Sequence, residues 1–166
     1  MDSKEIIEIF YILEDTFVGE YIRSSIWLFP VIESFHLIGL GILGGSVVIM
    51  DFKLMNIIFK GTNQIYVLEQ TKKFFKLGLL VLVSTGIPLF LSEAVKCYYS
   101  RAFWIKMFSL VIGVLFVYFV RNPLIVKKEG KIMILIGFVS FSVWTVVAAS
   151  GRWIGCLLYT SPSPRD

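Results

Sequence analysis

One hydrophobic stretch, Trp27 to Met50 (WLFPVIESFHLIGLGILGGSVVIM), constrains this chain more than any other feature. About 20 apolar residues cross the hydrocarbon core of a bilayer, and this run is long enough to do so. Inside it lie Glu33 and His36, one helical turn apart, and His36 is the single histidine of the chain. An ionisable side chain at bilayer depth costs roughly 2.5–3.5 kcal/mol on insertion scales, so such groups face inward and find partners. The run reads as a membrane helix that presents a polar site to its neighbours.

Composition agrees. Of 166 residues, 57% are apolar and 17% charged, where soluble domains carry about 45–50% and about 25%. The formal charge of +4 does not call for nucleic acid, because the lysines stand in segments between apolar runs and form no basic–aromatic face. Cys97 and Cys156 have neither metal spacing nor a disulfide framework. The chain has no Gly-rich phosphate loop, Ser-His-Asp set or His-x-x-His spacing, so no enzyme is expected.

The pattern predicts an all-α integral membrane four-helix bundle, with spans at about 26–50, 77–92, 103–120 and 132–155. Before the first span, Ile6, Phe10, Leu13 and Phe17 recur at helical spacing among acids, which predicts an amphipathic helix on the membrane surface. Residues 51–76 read as a polar connection. Pro88 falls inside the second span, and Asn122-Pro123 is expected to end the third, since a residue before proline avoids the helical region. Lys53, Lys60, Lys72, Lys73, Lys76, Arg121, Lys127, Lys128 and Lys131 fill the segments 51–76 and 121–131 and outnumber the basic residues of the other flanks. The positive-inside rule then puts those segments in the cytoplasm and both termini outside.

Under that topology Glu33, His36, Glu93, Lys96, Lys106 and Arg152 converge on the outer half of the bundle as candidate ligand or proton-site residues. A Glu33–Arg152 pair across the first and fourth helices is expected, because a guanidinium can bond a carboxylate through two N–H groups. Gly41, Gly44 and Gly45 form a small-residue stripe beside Glu33 and His36, of the kind that lets another helix approach closely. The final residues, CLLYTSPSPRD (156–166), break from what precedes them and match the translation of a sequencing adapter, so they carry no functional expectation.

The segments WLFPVIESFH, LIGLGILGGS, DFKLM, LFLSEAVKCYYSRAFWIKM and ASGRWIG resemble a family of small bacterial inner-membrane proteins catalogued as a domain of unknown function. That family is distantly similar to the membrane domain of copper-resistance-D-type proteins. The resemblance implies four helices and a bacterial inner membrane, and it implies no activity. Three functions are open on the residues. The first is an interaction or accessory subunit whose polar cluster locks helices together, with the bilayer and a homodimer or membrane-protein partner as its contacts and no nucleic acid. The second is a binding or permeation bundle handling a proton, ion or small solute through Glu33 and His36. Behind both stands a haem- or copper-binding redox protein. No cofactor is expected, because one histidine cannot supply bis-histidine ligation and Met50, Met55 and Met133 lie toward the other end of the spans.

Overall fold

The computed structural model is all-α and describes residues 3–127 and 130–160, with side chains over 5–127 and 130–154. Two short helices, α1 (Ser3–Glu14) and α2 (Phe17–Ser24), precede α3 (Leu28–Leu54), and the turn at 55–63 leads to α4 (Gln64–Ser92). A short α5 (Ala94–Tyr99) joins α4 to α6 (Arg101–Lys127), and α7 (Lys131–Thr160) ends the described chain. Four of these, α3, α4, α6 and α7, are long and apolar enough to cross a membrane. By helix length and composition the protein is a multi-pass membrane protein, with the four-helix architecture expected from the sequence.

Helix α3 is the axis. Of its apolar window 44% is buried, against 11% for α6. Its main neighbour is α4, with α7 on another side, and α6 joins the bundle chiefly through α7. The α3–α4 approach is close enough to exclude a side chain: a Cβ on Gly78 would stand 2.6 Å from the Leu43 nitrogen, and one on Gly39 would stand 2.8 Å from Val81 Cγ1. These contacts fix an antiparallel register. Two apolar clusters fill the interior, one around Leu43, Val47, Phe75 and Trp144 and one around Met50, Leu54, Val67 and Met133.

The helices outrun the apolar spans read from the sequence. α4 begins at Gln64, capped by the Asn63 side chain accepting from the Ile65 N–H (2.8 Å), so most of the expected polar connection is helix. The reason is a buried stripe, Val67, Leu68, Thr71 and Phe75, which packs on the last turns of α3 while Lys72, Lys73 and Lys76 stay exposed. The third span does not stop at Asn122-Pro123. A π-helical turn, Phe116–Arg121, precedes the proline, and the Asn122 N–H reaches back five residues to the Val117 carbonyl. This wider turn relieves the contact a proline ring makes with the carbonyl four residues before it, so the helix continues to Lys127.

The N-terminal helix expected from the sequence is present, in two short pieces whose inner side docks on the bundle. Phe10 packs among Phe90, Tyr98 and Trp104, with ring centroids 5.0–6.5 Å apart. Glu14 Oε1 accepts from Arg23 (2.7 Å), and its Oε2 accepts from the Val95 N–H at the start of α5 (2.7 Å). Gly19 lets α2 press onto the end of α4, since a Cβ there would lie 2.6 Å from the Leu91 carbonyl oxygen. Helices α1, α2 and α5 thus cap one end of the bundle. The exposed lysines of α4 mark the other.

Candidate functional site

Two polar sites lie at different levels of the bundle. The first, toward the capped end, is built on His36. Its Nδ1 lies 2.9 Å from Thr85 Oγ1 across the α3–α4 seam. The Thr85 hydroxyl already donates to the Val81 carbonyl (2.6 Å), so its oxygen is left to accept and His36 Nδ1–H donates to it. That bond leaves Nε2 as the ring atom able to accept a proton or a ligand donor. Gly86 makes room for the ring: a Cβ there would stand 3.4 Å from His36 Cε1.

Lys106 of α6 runs alongside α7, with its Nζ 3.8 Å from a Cβ built on Gly151. Glu93 and Lys96 pair at 2.7 Å where α4 gives way to α5. Cys97, buried beneath them, is a free thiol. Burial pushes it up to about 12, with the Glu93 carboxylate adding to the rise, so it is protonated and inert at neutral pH. Of the residues expected to converge, His36, Lys106, Glu93 and Lys96 do lie at one end of the bundle.

Glu33 is half-buried one turn from His36, and Arg152 is exposed on α7. Ion pairs among the described residues include Arg23 with Glu14 and Asp15, Lys96 with Glu93, and Arg121 with Asp51; the expected Glu33–Arg152 bridge is not seen among them, and Glu33 is not without a partner. The small-residue stripe also faces elsewhere. Among the described residues nothing lies within 4 Å of a Cβ built on Gly41, Gly44 or Gly45. Glycines that do seat helices inside the bundle include Gly39, Gly78 and Gly137.

The second site is one the sequence reading missed. Asp51 at the end of α3 and Arg121 at the end of the π turn form an ion pair (2.9 Å) with 0% and 3% of their side chains exposed. Arg121 also donates to Ser140 of α7 at 3.4 Å, and Gly137, one turn away, brings α7 against the Asp51 backbone. The pair is joined through one guanidinium nitrogen, and Asp51 Oδ2 and Arg121 Nε have no hydrogen-bond partner among the described residues. Beside it, buried Lys53 donates to the Phe59 carbonyl (2.7 Å) and pins a turn in which Asn56 and Phe59 both hold positive φ.

The model for a family of unknown function, DUF6644, matches residues 10–157 and so takes in both polar sites. The chain belongs to the DUF6644 family. No curated protein and no solved structure matches it. Of the terminal residues expected to be adapter-derived, 158–166 fall outside the DUF6644 match; 156–160 continue α7, and 161–166 lie outside the described residues.

Among the described residues no group of three His, Cys, Asp or Glu side chains could hold a metal ion. Met50 and Met133 are packed in the apolar cluster at the Asp51 end, on another level from His36.

Proposed function

We propose that this DUF6644 protein is a non-catalytic assembly subunit of a bacterial inner membrane, whose α3 offers its small-residue face to a second transmembrane helix. The observation that carries this reading is the open stripe: Gly41, Gly44 and Gly45 have nothing within 4 Å of a built Cβ. Lipid-facing glycine weakens a helix, whereas glycine at a helix–helix contact lets backbones approach and gain packing. Inside the bundle, the buried ion pair and the His36–Thr85 bond lock helices together, a role buried polar groups can fill without adding net stability. The lysine-rich end would face the cytoplasm and the capped end the outside. No nucleic acid or cofactor enters this reading.

Single-molecule photobleaching of the fluorescently tagged protein in lipid vesicles tests it, with a second copy as the first partner to try. Wild type is expected to bleach in two steps, and Gly41→Leu with Gly45→Leu mainly in one. One-step bleaching of wild type at all densities would remove self-association. A second reading, proton or small-solute binding, is favoured by one observation, the His36 ring with Nε2 left over and Lys106 nearby. Proton flux into vesicles that is lost in His36→Gln would support it over the first.

A further inference from the structure

We propose that Lys72, Lys73 and Lys76 of α4, with Gln70, form a binding site for the headgroup phosphate of an anionic phospholipid. The inference starts from depth. Gly39 opposite Val81, Leu43 opposite Gly78, and Met50 and Leu54 packed with Val67 and Leu68 set the α3–α4 register. Carried along both helices, that register puts Lys72, Lys73 and Lys76 level with Gly45 to Ile49 of α3. Their backbones therefore sit roughly 1–8 Å inside the level of Met50, where the apolar run of α3 ends.

The three side chains are exposed, and among the described residues none of them enters an ion pair, although Glu69 lies within one turn of Lys72 and Lys73. An ammonium rooted at that depth on a lipid-facing helix extends its stem toward the interface and meets the headgroup layer. Here three do so together, and with Glu69 and Gln70 they line a cleft of about 360 Å³. Three ammonium groups against one carboxylate leave the cleft cationic, and the Gln70 amide adds a neutral donor. Those are the donors a phosphodiester oxygen needs.

A rail for the rest of the molecule continues from the cleft. Leu77 and Leu80 are exposed (48% and 67%) on the α4 turn that follows Lys76 toward the membrane centre. Phosphate recognition at the cleft and an apolar track leading inward describe a lipid rather than a free phosphate. A soluble anion would use the first feature and leave the second without purpose.

The test uses the full chain in nanodiscs of phosphatidylcholine doped with phosphatidylglycerol, read by native mass spectrometry. Wild type should retain phosphatidylglycerol at least tenfold over phosphatidylcholine, and the preference should fall as salt rises. Lys72→Gln, Lys73→Gln and Lys76→Gln together should abolish the preference, while Lys127→Gln with Lys131→Gln leaves it. If the triple variant does not fold in phosphatidylcholine alone, Gln70→Ala with Lys73→Gln should lower the preference severalfold. Equal retention of the two lipids by wild type, or an unchanged preference in a folded variant, would overturn the proposal. So would displacement of the lipid by millimolar inorganic phosphate, which would identify a phosphate site with no use for the acyl rail. None of these results depends on self-association through α3, so the assembly reading stands or falls separately.

Discussion

Removing Arg121 should destabilise the bundle strongly, because it breaks the buried ion pair at the lysine end from one side. Its guanidinium bonds Asp51 Oδ1 at 2.9 Å and Ser140 at 3.4 Å, with both members of the ion pair buried. Arg121→Met would leave the Asp51 carboxylate buried without a counter-charge, and breaking such a pair from one side costs about 3–5 kcal/mol. At about 1.4 kcal/mol per decade, that is two to more than three orders of magnitude in the folding equilibrium. Ser140→Ala should cost far less, about 1 kcal/mol or below, because the 3.4 Å contact is at the long end for a hydrogen bond. The informative variant is the double one. Asp51→Leu with Arg121→Met removes both charges and the unsatisfied Oδ2 and Nε atoms with them, and a buried pair replaced by apolar groups of similar volume is often neutral or stabilising. Equilibrium unfolding in mixed micelles, with both single variants and the double, measures the cycle. A loss below 1 kcal/mol in Arg121→Met, or a double variant as unstable as the sum of the singles, would show that the pair is not coupled as described.

Three further outcomes follow from the geometry. Gly78→Val should separate α3 from α4 and lower stability by roughly 1–3 kcal/mol or more in thermal unfolding, since its Cβ would meet the Leu43 backbone at 2.6 Å, while Gly41→Ala should not lower it. In a Cys156→Ser background, alkylation of Cys97 at pH 8 should run roughly a thousandfold slower than for an unfolded-chain thiol, a gap that closes in denaturant. The same raised value makes stability fall as pH climbs through the window from about 9 toward about 12, because the unfolded thiol ionises first and the native one holds its proton. Thr62→Cys, exposed in the turn before α4, should react with a membrane-impermeant maleimide only after the cytoplasmic face is opened; labelling in intact cells would reverse the proposed orientation.

What the sequence could and could not reveal follows from what hydropathy measures. The four spans were legible because lipid contact demands long apolar runs, but those runs mark where lipid touches a helix rather than where the helix ends. Thus α4 begins at Gln64, and the signal for it, Val67, Leu68, Thr71 and Phe75 at helical spacing, is present among the lysines of segment 51–76, whose charges read as a polar connection. His36 stood out as the lone histidine in an apolar run, whereas its partner Thr85 is an ordinary residue of another helix. Asp51 and Arg121 each sit at the end of an apolar run, so on one strand of sequence they read as boundary charges. Only folding brings them together across 70 positions. The glycine stripe shows the same limit in another form. α3 is apolar nearly all round, so its periodicity separates faces without saying which one turns inward. That choice is made by glycines on its neighbours: Gly78 of α4 admits Leu43, and Gly137 of α7 admits the backbone at Asp51. Once those two contacts are made, nothing among the described residues lies within 4 Å of a Cβ built on Gly41, Gly44 or Gly45, which is why we propose a partner outside the bundle for the motif that suggested internal packing.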